Sequence, residues 1–431
     1  MIADMHRARQ LAWELPGLGW DVEILSPDSS YQRESCLDAD SAAFFAPTIP
    51  VHSAPAALPR LFKAVGLGSI GWRVLWSMRR LGARLLGTGR FDLVYFSTTQ
   101  FPLFLLGRGW KRDRGAPYVL DFHDPCYRSD HAPPVWAKRS LKHEASRRLG
   151  GFIESRSVSE ASGLVAVSSR YIETLHRRYG ARRPPWLSPA RNETIPFGVL
   201  PQDLEEARRS SPRVDSAPGD SVRFVYVGAG GPIMERSFAL ICRTLADLRE
   251  ARRLELRGLR VELYGTTMGW QEGERRHLSE IAEGFGVGDL VHEDPRRVSY
   301  RRSLELLLES DGALMLGVDD LGYMPSKLYT YAYSGKPLLA SAHRGSPFFD
   351  AMRYIQPLGG TLWFDSGDEM PRAASAEVLL RALESARNRQ CADRRNAVEP
   401  YLAATMAGRH VSLFESCLSG VGSKSGSATV G

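Results

Sequence analysis

Apolar residues at 5, 8, 11, 12 and 15 recur at helical spacing, so the chain opens with a helix that Gly17 and Gly19 stop. Asp21 to Pro27 then alternates as a short strand. An α/β domain usually opens with a buried strand and a glycine-rich turn. Neither stands ahead of this helix, so the first domain reads as lacking its first strand, as from a misplaced start codon. Residues 29–57 carry no sustained period and read as a long loop. Residues 61–86 read as a helix, with Leu67, Ile70, Val74, Met78, Leu81 and Leu85 on a broad face flanked by Trp72 and Trp76. Strands follow at 92–97, 118–124 and 163–168, and helices at 101–113, 136–148, 152–161 and 168–179, the last with Ser168 as its N-cap.

Residues 201–221 are charged and rich in Pro, Ser and Gly, the composition of a linker. A second alternating series begins at 222. Strands at 222–228, 259–265, 290–293, 312–318 and 337–341 are separated by helices at 234–252, 272–284, 298–309 and 325–334. Strands separated by helices imply βαβ units and a parallel sheet. The expected class is α/β, with two Rossmann-like domains: 1–200 and 222–392, joined by the 201–221 linker. Helices over 393–418 are expected to cross back to the first domain, and the Gly/Ser-rich tail 419–431 reads as disordered.

Composition narrows the class. Apolar residues make up 43% and charged residues 24%, and mean hydropathy is −0.25, as in a soluble globular protein. No apolar run is long enough to span a bilayer. The N-terminal residues do not read as a signal peptide. Cysteines 36, 126, 242, 391 and 417 lack zinc or redox spacing and read as reduced cytoplasmic thiols. Seven basic and no acidic residues fall between Arg60 and Arg90, in a chain of net charge +7. With Trp72 and Trp76, this suits an anionic membrane surface. The alternative is an apolar face packed on the domain's own sheet, with solvated arginines. No nucleic-acid module accompanies the basic residues.

Ligands of such sheets lie beyond the carboxyl ends of the strands. The richest stretch there runs from Gly322 through Pro325, Ser326 and Lys327 to Ser334-Gly335-Lys336-Pro337. Pro325 begins a helix whose free N–H groups and dipole suit a phosphate, with Lys327 adding charge and Ser326 a hydroxyl. A capped helix with a solvated Lys327 is the alternative. Asp38-Ala-Asp40 spells a metal-binding Asp-x-Asp but lies in the loop region without a supporting domain. Gly228-Ala-Gly-Gly lacks the spacing of a dinucleotide fingerprint.

The Pro325-Ser-Lys-Leu-Tyr stretch, with Ser334-Gly-Lys-Pro-Leu-Leu-Ala after it, resembles the donor site of GT-B glycosyltransferases, particularly the glycosyltransferase family 4-like group. Arg90-Phe-Asp-Leu-Val-Tyr-Phe-Ser, Ala116-Pro-Tyr-Val-Leu-Asp-Phe-His-Asp-Pro and Glu160-Ala-Ser-Gly-Leu-Val-Ala-Val-Ser-Ser resemble its acceptor-side domain. Val225-Tyr-Val-Gly resembles the opening of its donor domain. The resemblance implies sugar transfer from a nucleoside diphosphate sugar, with retention and without a metal or other cofactor. It implies a glycan or lipid-linked acceptor, polysaccharide biosynthesis, and a cytoplasmic or membrane-associated location.

By the same resemblance, Gly228, Gly230, Gly231, Arg236, Gly265, Thr266, His292, Pro325, Ser326, Lys327, Leu328 and Thr330 are donor-binding candidates. His123 and Asp124 are the catalytic candidates, at the position of a family histidine near the reacting sugar. The chain departs from the family at two places. The usual first basic residue after Gly228 is missing, and the two family glutamates fall near Gly322 and at Thr330, with Asp319 and Asp320 as possible substitutes. These departures motivate a rival reading, a GT-B-fold sugar-nucleotide-binding scaffold or regulatory subunit. An epimerase of the same shape is a further rival, but its usual carboxylate pair has no counterpart here.

Overall fold

The opening helix forms over Ala3–Glu14 and ends in a 3-10 turn whose Gly19 adopts φ +82°. The computed structural model describes residues 3–31, 38–44, 49–64, 66–127, 141–210, 221–252, 256–267, 275–355 and 358–419. By its internal contacts the chain divides into two units. One comprises the described residues within 2–37, 45–196 and 404–431, the other those within 38–44 and 197–403.

In the first unit, β1 (Ile24–Pro27) pairs in parallel with β2 (Val51–Ala54). The second of these lies inside the stretch read as loop. Its Val51 is exposed and only Ala54 is buried, so it carries no apolar alternation to find. Strands β3 (Val94–Ser97), β4 (Tyr118–Phe122), β5 (Gly163–Ala166) and β6 (Asn192–Thr194) form a parallel sheet in that order. The core is aromatic. Phe96 stacks on Trp110 at 5.9 Å, and buried Trp186 donates its indole N–H to Val158 O at 2.6 Å. The two helices expected between β4 and β5 are one, Leu141–Val158; residues 136–140 lie outside the described chain. The glycines at 150 and 151 do not break it. A Cβ at Gly150 would lie 2.9 Å from the Cys126 carbonyl oxygen, so this glycine admits a close approach of backbone.

The last described helix, Ala403–Ser419, falls in the first unit from residue 404 on. Phe414 packs against Trp20 and Tyr95 at 5.5 and 5.3 Å, and Arg409 pairs with Glu193 at 2.7 Å.

The second unit holds six parallel strands: β7 (Val222–Val227), β8 (Leu259–Tyr264), β9 (Val291–Asp294), β10 (Gly312–Leu316), β11 (Leu338–His343) and β12 (Gly360–Phe364). Their order is β12-β11-β10-β7-β8-β9. Counted from β7 this is the Rossmann order 3-2-1-4-5-6, with its switch point between β7 and β10. The series read from the sequence omitted β12, whose Leu362 and Phe364 are buried. Helices Glu235–Glu250 and Arg372–Arg387 contribute Phe238, Leu245 and Leu379 to one core cluster. Helices Tyr300–Glu309 and Pro347–Tyr354 contribute Leu304, Leu307 and Phe348 to another.

The expected linker is helical in its first half. Pro201–Ser210 buries Leu204 and Ala207, and Asp203 accepts the Tyr300 hydroxyl at 2.6 Å. Leu204 and Ala207 dock the helix together with Asp203, while Glu205, Arg208 and Arg209 face outward. Residues 211–220 and the tail from 420 lie outside the described chain. The Asp38 segment also belongs to this unit. Its carboxylate accepts Tyr300 N at 2.9 Å and Ser41 Oγ at 2.6 Å, capping the helix Tyr300–Glu309 from a distant part of the chain. Among the described residues no helix is long and apolar enough to cross a membrane.

Candidate functional site

The switch point of the second unit collects polar groups from five strand ends. After β7, Gly228 lies against Lys327. A Cβ there would lie 2.7 Å from Nζ, which donates to the Val227 carbonyl. Burial, reinforced by the Arg297 charge, pulls the Lys327 ammonium down to about 8. The structure therefore brings Lys327 to the glycine loop, as the N-cap of a helix that begins at Leu328 rather than at Pro325. Pro325 to Lys327 form a turn, and the helix Leu328–Tyr333 has six residues before Ser334 and Gly335, whose φ is +81°, end it. The expected N-terminal phosphate site is absent from so short a helix. Pro325 and Ser326 are half-buried beside Lys327, Leu328 is buried in the core, and Thr330 is half-buried on the helix.

The glycine loop differs from expectation too. Gly228 N–H is bonded to Tyr264 O at 2.9 Å, and Gly230 N–H to Thr266 O at 3.1 Å, so these two donors are already engaged. Gly231 adopts φ +76° at the turn into the helix carrying Arg236. Thr266 is buried and donates its hydroxyl to buried Glu293 at 2.5 Å, bracing the loop from below. Gly265, at φ +72°, donates to Asp294 O, and His292 is exposed on β9, edge-on to Tyr264 at 6.4 Å.

Arg236 is engaged rather than open. Its guanidinium donates to Asp319 Oδ2 at 3.1 Å and to the Asp365 carbonyl, and lies over Phe364 at 4.9 Å. Asp320 accepts Gly322 N at 2.7 Å, holding the loop after β10. His343, missed in the sequence, ends β11 and is 6% exposed. Its Nδ1 accepts Gly345 N at 3.1 Å, which leaves the proton on Nε2, 3.7 Å from Asp319 Oδ1. Burial pushes the His343 imidazole below its usual range, against the pull of Asp319. Arg344 pairs with Asp365 at 3.0 Å. The strand-end rule that found His123 applies equally to His343, but the strand read from the sequence stopped two residues short.

In the first unit, the end of β4 holds a buried polar knot. Asp121 takes bonds from Arg7 Nε at 3.0 Å, Tyr95 Oη at 2.5 Å and His123 Nε2 at 2.8 Å. Arg7 also donates to the Pro196 and Ile195 carbonyls. His410 faces the Tyr95 hydroxyl at 3.2 Å and bonds Met406 O through Nδ1. Burial alone would push the Asp121 carboxyl up, but His123 and Arg7 hold it far below the usual range. Burial, with the Arg7 charge, pushes His410 down to about 3. The His123 side chain is 1% exposed, while Asp124 is exposed. Arg7, Tyr95 and His410 could not be associated with Asp121 from the sequence, because 114, 26 and 289 positions (410 − 121) separate them from it.

Residues 6–188 match the family model described as a glycosyl transferase 4-like domain. Among curated proteins none matches by sequence. Solved structures share the fold along most of the chain. Sucrose-phosphate synthase from Thermosynechococcus elongatus is 15% identical at TM-score 0.64, over 96% of this chain and 93% of that one. The UDP-forming α,α-trehalose-phosphate synthase of Burkholderia xenovorans is 12% identical at 0.55, over 87% and 89%. Anabaena HepE, solved in complex with UDP-glucose, is 13% identical at 0.51, over 85% and 86%. The resemblance read from the sequence thus holds: the chain has the GT-B fold of two Rossmann-like domains, and its residues 6–188 match a glycosyl transferase 4-like domain.

Proposed function

We propose that this chain is a glycosyltransferase that moves a sugar from a nucleoside diphosphate sugar to a glycan or lipid-linked acceptor, with retention and without a metal. The observation that carries the reading is the second unit's switch point. Lys327 reaches the end of β7, and Arg236, on the helix after that strand, reaches the Asp365 carbonyl just after β12, in a chain whose first unit matches a glycosyl transferase 4-like domain. As the glycosidic bond to the donor phosphate breaks, negative charge grows on the leaving diphosphate. Cations already fixed at its place lower the barrier without reorganising. The leaving phosphate oxygen takes the proton of the attacking acceptor hydroxyl, so no separate base is needed. Asp124, exposed at the end of β4, has access to substrate, while buried His123 sets the strand end from behind. His123→Ala is expected to reduce transfer more than donor binding; equal losses, or a collapse of folding, would leave it a purely structural residue.

The acceptor reading draws support from the helix Ile70–Leu86. Val74 and Met78 pack into the core, whereas Trp76 is 66% exposed beside exposed Arg79 and Arg80. Leu58, on the loop tied to this helix through Ala57 N and Arg73 O, is 72% exposed. Such a surface suits an anionic bilayer carrying a lipid-linked acceptor.

The test is a thermal-shift screen of purified protein against uridine, guanosine, adenosine and thymidine diphosphate sugars, followed by turnover assays on each that binds. Release of nucleoside diphosphate that depends on acceptor supports the transferase. Binding without turnover would favour the scaffold, a reading that gains from Arg236 being held by Asp319 and from Gly322 and Thr330 standing in the places of the family glutamates. Failure of every donor to bind would refute both.

A further inference from the structure

His343 and Asp319 form an arrangement that the proposed chemistry leaves unused. The imidazole is fixed by Gly345 N on Nδ1 and stands edge-on to Phe364 at 5.8 Å. Its Nε2–H makes no hydrogen bond among the described residues, because Asp319 Oδ1, at 3.7 Å, stops short of bonding distance. The Asp319 side chain is 54% exposed and the His343 side chain 7%, so the carboxylate covers the imidazole and is itself free to turn outward. The same carboxylate neutralises Arg236 at 3.1 Å. One exposed anion thus pairs with a guanidinium and covers an imidazole N–H without bonding it, beyond the carboxyl ends of β10 and β11 beside the switch point where ligands of such sheets bind.

We propose that Asp319 is a displaceable stand-in for the diphosphate of the ligand, and that His343 is a binding residue for that diphosphate, taking one proton from solvent as the ligand arrives. The inference rests on reading the switch point as a nucleoside diphosphate site. When Asp319 swings out, a phosphate oxygen takes its place between Arg236 and Nε2. The ligand brings more negative charge than the carboxylate it replaces. The charged groups that face His343 are Asp319 and Asp320 after β10, Arg236 on its helix, and Asp365 with its partner Arg344. Burial, helped by Arg236 and opposed by the carboxylates, favours the neutral imidazole in the free protein. An incoming diphosphate tips it toward the imidazolium, whose Nε2–H bond to phosphate is then charge-assisted. Nδ1 must then release Gly345 N, so the 343–346 turn shifts on binding.

Calorimetric titration with uridine, guanosine and adenosine diphosphates, each in two buffers of different ionisation enthalpy at pH 7, tests this. For the nucleotide that binds, the wild-type protein is expected to take up a substantial fraction of a proton. Affinity should rise as pH falls from 8 to 6.5, by up to about tenfold per unit. The ligand's own titration near pH 6 is common to every variant and cancels in the comparison. His343→Gln keeps a donor but cannot take a proton, and should lose the uptake and the pH slope. Asp319→Asn should bind the nucleotide about three- to thirtyfold more tightly, with melting temperatures of both variants reported alongside. Binding by wild type without proton uptake, or weaker binding by Asp319→Asn at an unchanged melting temperature, would overturn the inference and leave the transferase reading standing. Absence of binding by any of the three nucleotides would sink both.

Discussion

The two units each gather charged side chains at the carboxyl ends of parallel strands, but they do opposite things with them. Around Asp121 the charges are sealed: Arg7 and Asp121 are 1% and 0% exposed, and the two terminal guanidinium nitrogens each donate to a backbone carbonyl. Around Asp319 the carboxylate and the Arg236 guanidinium are 54% and 30% exposed, where their partners can be exchanged. A buried pair cannot trade its partner for a ligand without exposing an uncompensated charge. A rim pair can, because water screens it during the exchange. Similar strand-end chemistry is thus sealed in one unit and open to exchange with solvent in the other, and the depth of the ion pair decides which.

The contrast breaks most sharply at Arg7. Arg7→Ala should destabilise the first unit by about 3–5 kcal/mol, because Asp121 would be left buried without its cation. Urea unfolding measures this, and a loss below about 1 kcal/mol would mean that the knot is open to water. Arg236→Ala should leave stability nearly unchanged but weaken nucleoside diphosphate binding by about 1.5–3 kcal/mol, the worth of a charged hydrogen bond. Unchanged affinity would remove Arg236 from the site.

Acid sharpens the comparison further. His410 titrates at about 3 in the folded protein, against an ordinary value near 6.5 in the unfolded chain. The unfolded state therefore binds the proton first. The stability contribution is complete above about pH 6.5 and is lost as pH falls toward 3, at roughly 1.4 kcal/mol per unit in between. Asp121 has the same sign at lower pH, its contribution being present above about 4 and lost below. His410→Phe should flatten the slope of stability between pH 6 and 5; an unaltered slope would place the titrating group elsewhere. The smallest effect is expected at the surface. Replacing Arg73, Arg80 and Arg84 by Ser should weaken binding to anionic vesicles by about 1 kcal/mol per residue that reaches the membrane, and the difference should shrink with added salt. Equal binding to neutral vesicles would refute a bilayer contact.

Much of the fold was legible because burial imposes period. The strands Tyr118–Phe122 and Gly312–Leu316, buried at every position, stood out as apolar runs. Val51–Ala54 and Asn192–Thr194 did not, since half-exposed short strands leave little pattern. The opening helix was found, but its buried side was misjudged: Met5 is 41% exposed while Arg7 and Arg9 are buried. Hydrophobic spacing cannot flag an arginine whose partner lies 114 positions away. At the switch point, Lys327 and the glycine loop were legible from strand-end chemistry. The pairing of Arg236 with Asp319 was not, because it depends on how two loops meet.

The helix Ala403–Ser419 carries a consequence for the order of assembly. It contributes His410, Leu413, Phe414 and Cys417 to the unit that is otherwise built from the first part of the chain, and a Cβ at Gly163 would lie 2.7 Å from Cys417 Sγ. During synthesis that unit leaves the ribosome first, yet it lacks this cover until the whole second unit has been made. At about 5–20 residues per second the delay is on the order of 10–50 s. Through that interval Tyr95 and Trp20 lack the aromatic ring that later packs against them. The half of the protein that begins folding first is the half that finishes last, and for tens of seconds the place of its closing helix stays open.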